Sequence, residues 1–235
     1  MSGLNSVENH IAELAASPFA VLNATVYVID NDAEMRRSLH SLLSTVGVVS
    51  WSFSCASDFL DTLTSLAPAP ILLDVRMPQM DGIQLMSRLL ERGIRWPIIV
   101  MTGHGEIPVA VAAMRLGAVE FFEKPFRFEQ LHSAMKAAFE KMSVILRQSC
   151  VQTEALQRFG LLSPRETEVI GILTKGNPIK VAAHVLSLST RTVEMHRANA
   201  LAKLGLKSLA EAVHLATDAG LEFNSLVKDN DNVSY

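Results

Sequence analysis

Short apolar runs alternate with amphipathic stretches between Thr25 and Phe139, and this alternation strongly constrains the fold. The runs are residues 25–30, 48–53, 70–74, 97–102 and 119–122, and the amphipathic stretches lie near 33–46, 57–66, 82–92 and 107–116. Short strands that alternate with helices indicate a parallel sheet covered by helices on both faces. We therefore expect an α/β fold with a doubly wound, five-stranded parallel sheet of the flavodoxin-like kind.

After Gly160 the pattern changes to helix signals alone. Ser163, Pro164 and Glu166 provide a hydroxyl cap, a proline at the first helical position and a carboxylate for a capping box. This first helix is predicted to end near Gly176. Three more helices are predicted to begin at Pro178, Ser189 and Ser208 and to end near Leu186, Leu204 and Ala219. Four short helices with tight turns predict a second, all-α helix-turn-helix domain.

The connection between the two patterns is itself predicted to be helical. Apolar residues recur there at four-then-three spacing, at Leu131, Met135, Ala138, Met142 and Ile145. This apolar face either packs on the sheet or pairs with a second chain as a coiled coil. We predict an extension (1–24), a sheet domain (25–140), a linker helix (141–160), a helix-turn-helix domain (161–224) and a tail (225–235). In the extension, Val7, Ile11 and Leu14 suggest a short helix.

Composition and charge exclude several classes of protein. A hydrophobic content of 49% excludes disorder, and no uncharged apolar run reaches the roughly 18 residues that a membrane helix needs. The N-terminus has no positive charge before its apolar part, and the two cysteines, Cys55 and Cys150, lie far apart. We expect a cytoplasmic protein without membrane contact. Residues 161–220 carry seven Lys and Arg against five Asp and Glu, which is compatible with DNA binding.

Polar residues follow the predicted strands where apolar ones would bury more surface. Asp30, Asn31 and Asp32 follow the first strand, and Asp74, Thr102 and Lys124 end or follow the third, fourth and fifth. These strand ends should meet at one edge of the sheet. There, Asp74 would be a nucleophile for phosphoryl transfer, and oxygens of residues 30, 31 and 74 with a backbone carbonyl could hold Mg²⁺. Taken singly, Asp32 could merely cap a helix and Lys124 could be a solvated charge.

Residues 25–140 resemble the receiver domain of response regulators, most closely the FixJ branch of the FixJ/NarL/LuxR type. The resemblance is carried by VYVIDND (26–32), LLDVRMPQMDGIQL (72–85) and VMTGHGEIPVAVAAMRLGAVEFFEKPF (100–126). It implies that Asp74 is the phosphoacceptor, that the Arg76 carbonyl binds the metal and that Lys124 meets the phosphoryl group. It further implies that Thr102 and Phe121 form the switch, and that the Lys124–Pro125 bond is cis.

One position departs from the receiver pattern. The family usually has two adjacent acids after the first strand, and the second of these, a metal ligand, is Asn31 here. A neutral amide oxygen brings less charge than a carboxylate, so we predict weaker Mg²⁺ binding, for which Asp32 could compensate. We expect phosphorylation to survive the change.

The segments LSPRETEVIGIL (162–173) and TRTVEMHRANALAKLGLKSLAEAVHLA (190–216) resemble the LuxR-type DNA-binding domain. The resemblance implies base contacts from Glu194, Met195, Ala198 and Asn199, and phosphate contacts from Lys180, Arg191, Thr192, Arg197 and Lys203. Val193, Ala200 and Leu204 should face inward. The last helix is expected to pair two such domains, and Ile179 stands where relatives commonly have Asn.

These features predict a response regulator transcription factor and not an enzyme, beyond promoting its own phosphorylation and dephosphorylation. A partner histidine kinase would phosphorylate Asp74, and the helix after Gly105, the fifth strand and the last receiver helix would then form a homodimer that binds promoter DNA. Arg76 and His104 are candidates for tuning hydrolysis. The alternatives are a receiver that acts as a non-phosphorylated interaction module, and an aspartyl-nucleophile phosphatase. The phosphatase is disfavoured because such enzymes generally carry an acid where Arg76 stands.

Overall fold

The computed structural model describes residues 24–103 and 107–221. The helix predicted around Val7, Ile11 and Leu14, and His104, lie outside these residues. The chain divides into two compact units, with the boundary between Leu146 and Arg147. Among the described helices, none is both long and apolar enough to cross a membrane.

The first unit is built on a five-stranded parallel sheet of order β2-β1-β3-β4-β5, which confirms the predicted fold class. Its strands agree with the predicted bounds to within one residue, and they are β1 (Thr25–Ile29), β2 (Val49–Phe53), β3 (Ile71–Asp74), β4 (Ile98–Thr102) and β5 (Glu120–Glu123). Its helices are α1 (Ala33–Thr45), α2 (Ala56–Thr62, then a 3-10 turn at Leu63–Ser65), α3 (Gly82–Glu91), α4 (Ile107–Arg115) and the first part of α5 (Phe128–Phe159).

The three central strands of the sheet, β1, β3 and β4, are buried on both faces. Alternate strand residues belong to different core clusters, so that Ile29 and Leu73 pack on one face while Val28 and Leu72 pack on the other. This explains why these three strands are nearly continuous apolar runs. Three residues of the predicted apolar face of α5, Leu131, Met135 and Ala138, pack into the second of these clusters, together with Ala134.

The second unit is all-α, as predicted. Beyond the end of α5 it contains α6 (Pro164–Leu173), α7 (Ile179–Val185), α8 (Thr190–Leu204) and α9 (Leu209–Asp218). The predicted capping box is present at α6, because Ser163 Oγ accepts from the Glu166 N–H and the Ser163 N–H donates to Glu166 Oε2. Val193, Ala200 and Leu204 are fully buried, as their spacing predicted.

Candidate functional sites

Asp30, Asp74 and Lys124 meet at the carboxyl edge of the sheet. Parallel pairing sets Ile29 level with Leu73, so the residues that follow β1 and end β3 lie side by side. Lys124 Nζ lies 2.7 Å from Asp30 Oδ2 and 2.7 Å from Asp74 Oδ1. The two acids are only 1% and 4% exposed. One ammonium group therefore bridges two buried carboxylates from neighbouring strands.

The backbone around β4 and β5 holds Lys124 in this position. The Lys124 N–H donates to the Thr102 carbonyl at 2.7 Å, and the Lys124–Pro125 peptide bond is cis, as the resemblance implied. Thr102 itself is buried at the end of β4. Phe121, on the adjacent strand β5, is half-buried against the core cluster that contains Leu73. The two residues named as a switch thus lie on the neighbouring strands β4 and β5, with Phe121 level with Val100.

The loop after β1 is ordered by its own carboxylates. Asp30 Oδ1 accepts from the Asp32 N–H at 2.8 Å, and Asp32 Oδ1 accepts from the Glu34 N–H at 2.8 Å. Asp32 is therefore the N-cap of α1, and these backbone hydrogen bonds hold the pKa of its carboxyl below its ordinary value. Asn31 is exposed. Arg36, which sequence reasoning missed and no motif signals, donates from Nη1 to the Asp30 carbonyl at 2.6 Å.

Burial and the ion pair shift the pKa values of Asp74 and Lys124 in opposite directions. Burial raises the pKa of Asp74, and the hydrogen bond from Lys124 only partly offsets this. For Lys124, burial alone would lower the pKa, but the hydrogen bonds to Asp30 and Asp74 raise it above the ordinary value. The carboxyl groups of Asp30, Asp32 and Asp74 lie together around this edge, and such hard oxygen donors favour a divalent cation.

The donor atoms at this edge fit Mg²⁺. Across residues 24–103 and 107–221, no three or more His, Cys, Asp and Glu side chains are grouped to hold a metal ion. Mg²⁺ does not require such a cage, because it binds through one or two carboxylates and keeps several waters. Asp30 and Asp74 provide the two hard oxygen donors. Asn31 and the Arg76 carbonyl, named as further ligands, remain predictions.

Gly82 lets the loop after β3 approach the backbone of Asp74 closely. A Cβ atom on this glycine would lie 2.5 Å from the Asp74 carbonyl oxygen, and the Gly82 N–H donates to the Val75 carbonyl at 2.8 Å. Asp81 then caps α3 through a capping box with Gln84. Sequence reasoning did not single out Gly82, although an Asp-Gly pair after a strand is a turn signal.

In the second unit, the residues named for base contacts share an exposed face of α8. Glu194, Met195, Ala198 and Asn199 are all exposed, at positions one and four residues apart that lie on one side of a helix. Ser189 caps the start of α8, since its Oγ accepts from the Thr192 N–H at 3.1 Å. This arrangement is compatible with a helix that enters the major groove.

The residues named for phosphate contacts differ in their surroundings. Lys180 and Arg191 are exposed, whereas Thr192 and Arg197 are half-buried. Within the described part of the chain, Arg197 Nε is buried without a hydrogen-bond partner. Lys203 Nζ lies 2.7 Å from Glu166 Oε2, which gives this lysine a structural contact in the fold. Its contact with DNA remains a prediction.

The Glu166–Lys203 pair makes the stability of the second unit depend on pH. The hydrogen bond from Lys203, followed by that from the Ser163 N–H, lowers the pKa of Glu166 from 4.5 to about 2. The stabilisation is therefore complete above about pH 4.5 and is lost as the pH falls towards 2. Because the Lys203 side chain is 44% exposed, solvent screens the pair. We expect Glu166→Gln to lower the free energy of unfolding at neutral pH by about 1 to 3 kcal/mol.

Urea unfolding followed by circular dichroism measures this difference, which should shrink as the pH is lowered. The matched control is Glu168→Gln, whose pair with Arg165 is exposed on both sides and should contribute at most about 1 kcal/mol. Equal unfolding curves for the two variants at pH 7 would contradict the role given to Glu166.

Comparison with known proteins divides the chain in the same way. Residues 26–136 match the response regulator receiver domain, and residues 160–216 match the bacterial regulatory proteins of the luxR family. The chain is 41% identical over 196 residues to the transcriptional regulatory protein FixJ of Bradyrhizobium diazoefficiens, which covers 83% of this chain and 96% of FixJ. It is 37% identical over 193 residues to the response regulator protein TodT of Pseudomonas putida, which covers 82% of this chain and 85% of TodT.

Solved structures are similar over comparable lengths. The low-resolution structure of the response regulator StyR superimposes with a TM-score of 0.70 at 35% identity, and covers 83% of this chain and 99% of StyR. Full-length FixJ from B. japonicum superimposes with a TM-score of 0.52 at 41% identity, and covers 85% of this chain and 98% of that protein.

Proposed function

Because the chain belongs to the FixJ-like response regulators, transcriptional regulators with a receiver and a LuxR-type DNA-binding domain, we propose that phosphorylation of Asp74 controls its binding to promoter DNA. The observation that carries this proposal is the Lys124 ammonium 2.7 Å from both Asp30 and Asp74. The phosphoryl donor is a partner histidine kinase, the kind of partner that a receiver domain implies. The protein itself turns over no other substrate.

The chemistry is transfer of a phosphoryl group between two nucleophiles. A carboxylate oxygen of Asp74 attacks phosphorus, the oxygen–phosphorus bond forms, and the bond from phosphorus to the kinase imidazole nitrogen breaks, leaving the electron pair on that nitrogen. Lys124 keeps its positive charge throughout and moves from neutralising two carboxylates to neutralising the phosphoryl oxygens as well. Asp30, Asn31, Asp74 and the Arg76 carbonyl would hold Mg²⁺, which when bound would supply further positive charge at this edge of the sheet.

Asn31 places a neutral amide where receivers usually have a carboxylate, and this is expected to lower the affinity for Mg²⁺. Replacing it by Asp adds a charged oxygen ligand, so we expect Asn31→Asp to bind Mg²⁺ about tenfold more tightly, or about 1.4 kcal/mol. Isothermal titration calorimetry measures the affinity, and Asn199→Asp in the second unit controls for the added charge. Equal Mg²⁺ affinities of Asn31→Asp and the unsubstituted protein would exclude residue 31 as a ligand.

Phosphorylation acts by favouring one of two receiver states. Thr102 moves towards the phosphoryl oxygens and Phe121 turns inward, so that the phosphorylated protein populates the state that dimerises. Three apolar side chains on α4 support a dimer surface there, because Ile107, Val111 and Met114 are 79%, 44% and 50% exposed. Dimerisation brings two DNA-binding units together and raises their effective concentration on a twofold-related site.

DNA recognition is assigned to the exposed face of α8, with phosphate contacts from Lys180, Arg191, Thr192, Arg197 and Lys203. We expect Asn199→Ala to cost about 1 to 3 kcal/mol on a specific site, because it removes a base contact without disturbing the core. Arg191→Ala should weaken binding to all sequences and reduce the slope of affinity against salt by about one. A loss confined to the specific site for Asn199→Ala, and a loss on all sequences for Arg191→Ala, would support base contacts from the first residue and phosphate contacts from the second.

The measurement is fluorescence anisotropy with genomic fragments selected by the phosphorylated protein, at several salt concentrations. Gln157→Ala, an exposed change on α5, is the control and should leave both affinity and salt dependence unchanged. If Asn199→Ala binds selected and unrelated fragments as the unsubstituted protein does, α8 does not read the sequence through this residue.

A further inference from the structure

A cavity of about 640 Å³ opens at the amino edge of the receiver sheet. It is lined by the start of β1, the segment from the end of α2 to β3, and one side of α5. It therefore lies at the opposite end of the strands from Asp74. Its lining includes Ala24, Tyr27, Trp51, Leu66, Met142 and Leu146. Its size is that of a binding pocket, yet none of these residues takes part in phosphoryl transfer or DNA recognition.

Large apolar side chains beside the cavity are exposed. Trp51 is 56% exposed on the edge strand β2, and Leu146 is 45% exposed on α5. Val49, two residues before Trp51 on the same strand, is 49% exposed. Exposed tryptophan and leucine that border a mostly apolar cavity form a surface suited to being covered by another apolar group.

The wall of the cavity includes Ala24, the first residue of the chain that the structure describes. Ala24 lines the cavity, is only 5% exposed, and its carbonyl accepts from the Val49 N–H at 2.8 Å. Residues 1–23 join the fold at this fixed point and precede the receiver match, which begins at residue 26. They contain apolar residues throughout and only two acids, and their large apolar side chains are Met1, Leu4, Val7, Ile11, Leu14, Phe19, Val21 and Leu22.

We propose that residues 1–23 occupy this cavity and cover Trp51 and Leu146 with their apolar side chains. A tethered segment loses little translational freedom on binding, whereas a second copy or a free molecule loses all of it. Because Ala24 itself lines the cavity, residues 1–23 are favoured as the occupant over a second copy of the chain or a free molecule. The proposal does not depend on the chemistry of Asp74.

Trp51 reports directly on this contact. The chain has two tryptophans, and Trp96→Phe leaves Trp51 as the sole one while keeping an aromatic ring against Tyr27. In this background we expect removal of residues 1–22 to shift Trp51 emission to longer wavelength and to increase its quenching by acrylamide. A peptide of residues 1–22, added back, should reverse both changes in a saturable manner.

Substitutions in the full-length protein distinguish loss of the contact between residues 1–23 and the cavity from other effects of truncation. Ile11→Asp combined with Leu14→Asp should reproduce the emission shift, whereas Glu13→Gln, between them, should not. Hydrogen exchange in the chain that retains Trp96 provides a second readout, with residues 65–68 and 142–146 exchanging faster after truncation.

Unchanged emission, quenching and exchange after truncation would overturn the proposal. Two further results would also do so. Protection of Trp51 that persists without the segment and grows with protein concentration would assign the cavity to a second copy. Protection that is lost only after extraction with organic solvent would assign it to a small apolar molecule.

Discussion

Asp74→Asn will accept no phosphoryl group from a histidine kinase or from a small phosphodonor such as acetyl phosphate, and its DNA binding will stay at the level of the unphosphorylated protein. An amide oxygen is far less nucleophilic than a carboxylate, so the oxygen–phosphorus bond does not form. The fold should persist, because Lys124 keeps its 2.7 Å contact with Asp30. We therefore expect a complete loss of phosphorylation and only a small decrease in the free energy of unfolding.

Radiolabelled phosphoryl transfer measures the first effect, and sedimentation velocity measures the dimerisation that follows it. Asp61→Asn, the same change at an exposed position of α2, should be phosphorylated and should dimerise like the unsubstituted protein. Full phosphorylation of Asp74→Asn would place the acceptor elsewhere. An unchanged sedimentation profile of the fully phosphorylated protein would remove the dimer step from the mechanism.

Gly82→Ala will both destabilise the receiver and slow its phosphorylation. The added methyl group would lie 2.5 Å from the Asp74 carbonyl oxygen, which belongs to the backbone and not to a flexible side chain. Relief of this overlap must move the loop or β3, at a cost of about 1 to 3 kcal/mol. Displacement of the nucleophile by even 1 Å can slow the reaction on the order of 100-fold.

Gly103→Ala is the matched control, since it adds the same methyl group at the same edge of the sheet. There the new Cβ would meet no described atom within 4 Å. Thermal unfolding and the rate of phosphorylation by acetyl phosphate compare the two variants. A phosphorylation rate for Gly82→Ala equal to that of Gly103→Ala would mean that the loop adapts without disturbing Asp74.

The elements that sequence predicts well are those whose signal is local. The three central strands are recognisable because they are buried on both faces and are therefore short, continuous apolar runs, whereas the edge strands β2 and β5 are partly exposed. The start of α6 is recognisable because Ser163 and Glu166 satisfy each other's backbone groups three residues apart. Convergence of Asp30, Asp74 and Lys124 was predictable from parallel topology alone, since the carboxyl ends of such strands share an edge.

The contacts that sequence reasoning missed join residues with no local relationship. The Arg36 bond to the Asp30 carbonyl depends on the orientation of α1 against the loop, and Lys203 meets Glu166 from 37 positions away. The cavity at the amino edge is likewise formed by four separate segments. Such features arise from packing between elements, which periodicity and capping signals do not encode.

The central claim is that the carboxylate of Asp74 accepts the phosphoryl group, and the position of the acyl phosphate tests it most directly. Borohydride reduces an aspartyl phosphate to homoserine, so the phosphorylated protein can be reduced, digested and sequenced by mass spectrometry. Homoserine at position 74 alone, in the fraction that binds DNA more tightly, is the predicted result. Homoserine at position 30 or 32, or none in a protein whose DNA binding still responds to the phosphodonor, would contradict the claim.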